Sequence, residues 1–421
     1  MGPPMYLPLK EGASLRQPAV LAGTDGGLSP SPRAFWRFVV KWLALADTSQ
    51  PTPLLWLPIM RILVVMLLPI GDTLFATPAL HALRKHYPQA SITVLAYPTN
   101  AGILRSNPDV DDFVLWPTRQ TWPGIRGVIA MFRKLREARF SMAVEFGGNT
   151  GWISALSRNP RRTEMYLPRL WWLLPWAGKE WRQKHAVEHY ADVVRRLGIP
   201  VEDLRLRMYV TEAEKARARQ WLHDHGVLPG KPLVGIHPGG EGLWGRKRWS
   251  VEGFAKVADG LADRLGARIL LMGGKADIRL AEQLASLTHA DYINAVGRTT
   301  LGETAALMAH CALFIGNDSS PLHIAAAMGA RVVGIYGPTD PRSYHPWVPG
   351  GKEGMDYAVV RSPLPCACRF SLVGGQPLYI WVGCLLCPAL KVITPQQVLE
   401  AAIRLLSVEP AARHSGPPDS L

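Results

Sequence analysis

Leu313–Pro341 reads LFIGNDSSPLHIAAAMGARVVGIYGPTDP, and these 29 residues hold two apolar strands, a small polar turn and a helix. Leu313 to Ile315 and Arg331 to Tyr336 carry the nearly continuous apolar side chains of strands buried on both faces. Between them, Pro321 to Met328 is an Ala-rich helix stopped by Gly329, with His323 in its first turn. Asp318-Ser319-Ser320 fills the turn before the helix, and Gly337-Pro338-Thr339-Asp340-Pro341 is a loop at the carboxyl end of the second strand. This order aims free backbone N–H groups and the positive end of a helix dipole at one point, where an anion is favoured. A lone Asp-Ser-Ser is otherwise an ordinary N-cap; His323 and the second loop together point to a ligand crevice.

The same alternation continues outward. After a helix-like stretch from Glu212 to His225, apolar strands at 233–236, 268–272 and 291–293 alternate with helices near 251–265, 276–287 and 301–310. An earlier series has strands at 62–68, 92–96, 113–116 and 142–146, with helices near 73–87, 99–106, 124–138 and 150–158. The expected fold class is therefore α/β: two Rossmann-like doubly wound domains, 59–210 and 211–394, with a central cleft at the carboxyl ends of their strands. Residues 1–58 read as a Pro/Gly/Ser-rich extension with one amphipathic piece, Phe35 to Ala46, and 395–421 as a closing helix with a disordered tail.

A chain of 421 residues with 48% hydrophobic content can bury more than one core. Its net charge of +14 calls for an anionic partner: a phosphorylated substrate, an acidic membrane surface or nucleic acid. No zinc-finger, RNP or helix-turn-helix pattern accompanies the charge, so no nucleic acid is expected. Five cysteines in this length do not make a secreted disulfide framework, and the start lacks the pattern of a signal peptide. Both fit a cytoplasmic protein. Leu54 to Ile70 is apolar, yet Arg61 and the prolines at 58 and 69 favour a buried parallel strand over a membrane span.

Three further places bear on chemistry. Gly71-Asp72 follows the first strand, where an open α/β sheet keeps its reactive groups, and the Gly71 turn can present amides to an acceptor anion; Asp72 capping a helix with Thr73 is the structural alternative. His237-Pro238-Gly239-Gly240 is a tight turn followed by Arg246, Lys247 and Arg248, which read either as anion ligands or as a solvated basic loop. Gly273-Gly274 suits close approach of a ligand, or a plain turn.

With these residues in view, the chain from about 60 to 406 resembles glycosyltransferase family 9, the heptosyltransferases of lipopolysaccharide core assembly. The resemblance rests on Asp318-Ser319-Ser320 followed by His323, on the G-P-T-D-P loop, on Lys247-x-Trp249 and on Gly71-Asp72. It implies the glycosyltransferase B fold, with the first domain facing the acceptor and the second holding a sugar nucleotide. By the same resemblance Asp72 is the catalytic base, with Gly71 and Thr73 on the acceptor side. Gly239, Gly240, Lys247, Gly273, Gly274, Asp277, Glu303, Asp318, Ser319, Ser320 and His323 line the donor side. Gly240 departs from a hydroxyl residue common in the family, and Asp277 stands where a Glu is usual. The implied reaction is inverting, metal-independent heptose transfer from ADP-heptose to a Kdo-lipid A type acceptor at the inner-membrane surface, with no cofactor. Other nucleotide sugars or acceptors (O-antigen, capsule, a small molecule) and a non-catalytic nucleotide- or lipid-binding relative are the alternatives.

Three patterns remain. Asp109-Val-Asp111 looks like a metal-binding D-x-D, but it precedes a strand and so belongs on the amino edge, away from the cleft; no metal is expected there. Cys366, Cys368, Cys384 and Cys387 have spacing compatible with a structural zinc, or are ordinary buried thiols. Between Arg158 and Lys184, seven basic and two acidic residues are interleaved with Trp171, Trp172, Trp176 and Trp181, a mixture suited to an anionic membrane interface or to packing under a loop.

Overall fold

A computed structural model describes residues 60–118, 123–147, 161–164, 184–227, 230–240, 247–337, 339–362 and 388–408. Two parallel sheets organise them. The first has the order β3-β2-β1-β4-β5, formed by β1 (Arg61–Met66), β2 (Ser91–Ala96), β3 (Asp112–Leu115), β4 (Met142–Glu145) and β5 (Arg161–Glu164). The second has the order β11-β10-β9-β6-β7-β8, from β6 (Leu233–His237), β7 (Arg268–Leu271), β8 (Tyr292–Asn294), β9 (Leu313–Asn317), β10 (Arg331–Tyr336) and β11 (Tyr357–Arg361). Each sheet reverses its strand order at its centre, which places a crevice at the carboxyl ends of β1 and β4 and of β6 and β9.

Composition explains which strands are central. β1 is buried at every position but Arg61 and pairs in register on both sides, Val64 opposite Val94 and Val144. β6, β9 and β10 are similarly apolar, as parallel strands covered on two faces must be. The strands not foreseen, β5 and β11, are both edges. RRTE is short and charged, which protects an edge but erases the apolar signal, whereas YAVVR is a short apolar run that ends in a single Arg.

Local chemistry fixes the helix ends. Thr211 and Glu214 form a reciprocal capping box at Glu212–Asp224, and Thr394 with Gln397 does the same at Pro395–Ser407. Helix Val251–Leu265 starts at a Ser250 cap and stops at Gly266, whose φ of 59° is the left-handed conformation glycine adopts without strain. The helix foreseen from residue 73 starts earlier: Ile70–Phe75 brings Gly71 and Asp72 into its first turn, where a loop was expected.

Residues from Trp56 onward form one compact unit. One continuous apolar cluster runs from Ile62, Val64 and Met66 of the first sheet to Phe314, Leu322 and Tyr344 of the second domain. A second cluster covers the other face of the second sheet, with Trp249, Phe254, Val398 and Leu405. The final helix, expected as a separate closing piece, lays Val398, Leu399, Ala402 and Leu405 into that cluster. Among the described residues no helix is long and apolar enough to cross a membrane. The four clustered cysteines, Trp171, Trp172, Trp176, Trp181 and Arg246 lie outside the described residues.

Candidate active site

Helix Ile70–Phe75 follows β1 and helix Ser320–Ala327 follows β9, and the two pack together at the crevice. A single hydrogen bond joins their first turns: the Gly71 N–H donates to Ser320 Oγ at 3.1 Å. Beside it, the Phe75 ring meets the His323 ring edge-on at 4.6 Å between centroids. Asp72 and the Asp318-Ser319-Ser320 turn, 246 positions apart in sequence, therefore face the same space.

Asp72 caps nothing, since the N-cap is Pro69 and no side chain closes the helix start. Its Oδ1 instead accepts a 2.8 Å hydrogen bond from the Tyr190 hydroxyl, carried by helix Ala186–Arg195. Burial raises the pKa of Asp72 above the ordinary carboxylate value, against the opposing pull of the Tyr190 hydrogen bond and of Lys247 and His323. Thr73 is fully buried, and its hydroxyl donates to the Pro69 carbonyl at 3.0 Å while accepting from Asn100 Nδ2 at 2.8 Å. Asn100 also donates to the Met66 carbonyl, so Thr73 braces the turn under Asp72 instead of facing the crevice.

Asp318 is treated in the opposite way. Burial pushes its pKa up, but Lys247 and His323 outweigh that and hold the carboxylate well below the usual range. Lys247 Nζ donates to Asp318 Oδ2 at 2.6 Å, and His323 Nε2 lies 3.7 Å from Oδ1. Ser319 is the N-cap of Ser320–Ala327 without a side-chain cap bond; Pro321 carries no N–H and the Leu322 N–H donates to the Ser319 carbonyl at 3.0 Å, which leaves the Ser320 N–H as the first-turn amide available to a ligand. His323 is buried and its Nδ1 has no hydrogen-bond partner among the described residues; the buried Tyr344 hydroxyl is in the same state.

The other residues expected on the donor side, Glu303 excepted, surround this turn. Asn317, fully buried, accepts from the Trp249 N–H and donates to the carbonyls of Pro238 and Gly239, which ties the Lys247-Arg248-Trp249 stretch and the 237–240 turn to β9. Asp277 accepts from the Gly274 N–H at 3.0 Å and lies 3.3 Å from His237 Nε2, whose other ring nitrogen is 3.4 Å from Ser319 Oγ. Burial raises the Asp277 pKa, but the hydrogen bond and charge of His237, the Gly274 N–H and the charge of Arg248 together more than reverse that. A Cβ at Gly239 would overlap the Asp277 carboxylate, and one at Gly273 would come within 2.9 Å of it, so this packing requires glycine at both. Gly240 offers its carbonyl to Arg248 Nε at 3.0 Å.

Glu303 stands apart. Its carboxylate accepts from the Thr300 N–H in a capping box and from Arg217 Nε at 2.6 Å. Asp109 and Asp111 are likewise engaged, with His81 and Arg84 of one helix and with the Ile92 N–H at the amino edge of β2. Tyr190, Asn317 and Tyr344 were not singled out in the sequence. Only Asn317 had a local clue, its place beside Asp318 at the end of β9.

The profile of glycosyltransferase family 9 (heptosyltransferase) matches residues 128–358, more than half of the chain. Among curated proteins, the chain is similar to lipopolysaccharide heptosyltransferase 3 of Escherichia coli K12, 29% identical over 294 residues that cover 66% of this chain and 82% of that one. Lipopolysaccharide heptosyltransferase 2 of Salmonella typhimurium is 25% identical over 308 residues, covering 67% and 84%. Among solved structures, a family 9 glycosyltransferase from Veillonella parvula superposes with a TM-score of 0.68 at 25% identity, covering 84% of this chain and 98% of that one. E. coli ADP-heptose heptosyltransferase II gives 0.63 at 24%, covering 82% and 98%, and shares the two-domain glycosyltransferase B fold. On this match, and with the two doubly wound sheets and the crevice between Asp72 and Asp318, the chain is a glycosyltransferase belonging to family 9.

Proposed function

We propose that the protein transfers a heptose from ADP-heptose to the core region of a lipopolysaccharide precursor, with inversion at the anomeric carbon. The observation that carries this reading is the position of Asp72, an uncapped carboxylate facing the Asp318 turn across the Gly71–Ser320 hydrogen bond. The acceptor hydroxyl oxygen attacks the anomeric carbon while Asp72 takes the hydroxyl proton, and the bond from that carbon to the phosphate oxygen breaks with its electron pair leaving on ADP. Lys247 and the Ser320 N–H at the start of Ser320–Ala327 stabilise the departing diphosphate, so the charge is met without a divalent ion. Gly239, Gly240, Gly273, Gly274 and Asp277 supply the close-packed wall beside the nucleotide.

The donor and acceptor are suggested by relatives whose names carry ADP-heptose and lipopolysaccharide. Such an acceptor is lipid-anchored, and the net charge of +14 suits work at the anionic cytoplasmic face of the inner membrane. The test is to incubate the purified protein with ADP-heptose and Kdo-lipid A in the presence of EDTA. One added heptose by mass spectrometry and an inverted anomeric configuration by NMR are expected. Product formed only from a different nucleotide sugar would replace the donor, retained configuration would exclude direct displacement, and loss of turnover with EDTA would reinstate a metal.

A further inference from the structure

We propose that Tyr190 is the positioning residue of the reaction: its hydroxyl holds Asp72 Oδ1 so that the other carboxylate oxygen alone faces the acceptor hydroxyl. The proposal rests on the reading of Asp72 as the base. The 2.8 Å bond spans 118 residues of sequence, from the first domain's last helix to the turn after its first strand. Tyr190 is 1% exposed, with its ring edge-on to Phe146 at 6.1 Å between centroids. The ring is thus fixed by packing, and the hydroxyl has one carboxylate to address.

The direction of the bond matters. Burial and the neighbouring Asp72 push the Tyr190 pKa well above its ordinary value, so the phenol keeps its proton throughout the working range and remains a donor. A carboxylate bonded on one oxygen presents the other in a single orientation, which is what a base acting on one acceptor hydroxyl requires. The bond also favours the charged form of Asp72, countering the burial that would otherwise keep it protonated. The other groups acting on Asp72 come from across the crevice: Lys247, His323 and Asp318 from the donor side, and the Tyr344 hydroxyl from the helix Pro341–Tyr344.

The helix that carries Tyr190 is anchored in both domains. At its N-cap, His185 Nδ1 accepts from the Val187 N–H at 3.2 Å, while Nε2 donates to the His345 carbonyl of the second domain at 2.9 Å. Burial keeps His185 neutral, consistent with this one-donor, one-acceptor arrangement. The aim of the Asp72 carboxylate therefore depends on the contact between the domains as well as on its own turn.

Tyr190→Phe keeps the ring and removes the donor. The expected result is a loss of kcat of roughly tenfold to a hundredfold, the range for removing a hydrogen bond to a charged group. ADP affinity should stay within twofold, and the acidic limb of kcat/KM should move to higher pH, because the carboxylate loses a bond that favours its charge. In Asp72→Asn, adding Tyr190→Phe should change the residual rate less than twofold, since a residue acting through Asp72 has nothing left to act on. Wild-type kcat and pH profile in Tyr190→Phe, with Asp72→Asn inactive, would overturn this proposal and leave the base in place. A lowered melting temperature with an equal fall in ADP affinity would assign the hydroxyl to packing and overturn it too. An active Asp72→Asn enzyme would instead remove the base on which the proposal stands.

Discussion

The two turns that meet at the crevice carry one aspartate each, and the protein treats them in opposite ways. Asp318 lies in a dense polar net with a lysine at 2.6 Å and a histidine at 3.7 Å, and its charge is locked on. Asp72 has one neutral partner, Tyr190, and burial holds its pKa up. Two carboxylates driven apart in this manner are suited to different tasks, the first to fixing a charged binding site and the second to exchanging a proton. The Asp318 carboxylate is bonded by Lys247 on one oxygen and approached by His323 on the other, while Asp72 is hydrogen-bonded on Oδ1 alone among the described residues.

The largest break in this contrast should come from Asp72→Asn. Turnover should fall by about a thousandfold or more, with ADP affinity by calorimetry changed by no more than a few fold, because a base acts on the acceptor proton and need not touch bound donor. In the wild type, kcat/KM should rise with pH through a value above the ordinary 3.8 of an aspartate, the direction set by burial. A limb at or below that value would put the base elsewhere.

Next in size is the donor side. Lys247→Ala should weaken ADP binding by roughly tenfold to a hundredfold, the loss of a charge-assisted contact, and should also destabilise the fold by about 3 kcal/mol because Asp318 is left buried without its partner. Unchanged ADP affinity would contradict the placement of the diphosphate.

The two aspartates should also respond to pH in opposite senses. Asp318 is depressed, so its contribution to stability is present above pH 3.8 and is lost as pH falls through the folded value. Asp72 is raised, so its contribution is present below 3.8 and is lost as pH rises through its folded value. Denaturant unfolding across pH should therefore show Asp318→Asn less stable than wild type at neutral pH, with the gap closing in acid, and Asp72→Asn gaining relative to wild type as pH rises. Parallel curves would mean the two sites are not electrostatically distinct.

The smallest effects test which groups are scaffolding. Thr73→Val and Glu303→Ala should each cost roughly 1–2 kcal/mol in denaturant unfolding, for a lost buried hydrogen bond and a lost cap respectively. Thr73→Val should leave the acceptor KM, and Glu303→Ala the ADP affinity, within threefold. A larger kinetic effect at Thr73 or Glu303 would give that residue a ligand as well.

Most of the strands were legible because parallel strands covered on two faces leave continuous apolar runs, such as RILVVM and LFIGN, punctuated by Gly, Pro and Asp; their order in each sheet came only from the structure. Two of the four edges, β3 and β8, were also foreseen, but β5 was not, since RRTE has no apolar run, and YAVVR of β11 was missed although it is mostly apolar. At the site, Lys247, Asp318 and His323 were readable from spacing and resemblance, but their mutual contacts span as many as 71 residues and only the fold creates them. Tyr190 gave no signal, because a tyrosine on the apolar face of HAVEHYADVVRRL reads as core until topology sets it against Asp72. Thr73 and Glu303 show the converse: a hydroxyl or carboxylate in a first helical turn has the same local sequence whether it binds a ligand or the backbone.

The bond from Gly71 to Ser320 closes a loop of 249 residues. On a ribosome adding roughly 5–20 residues per second, that separation corresponds to about 10–50 s between the appearance of one partner and the other. For that interval Phe75, 2% exposed in the finished protein, lacks His323 and Tyr344, the rings that cover it from the second domain. The newborn first domain must therefore wait with part of its future core open to solvent and to other chains. The contact between the Asp72 and Asp318 turns is thus also among the last to form, and a slow or arrested second half leaves behind a fragment with exposed apolar surface.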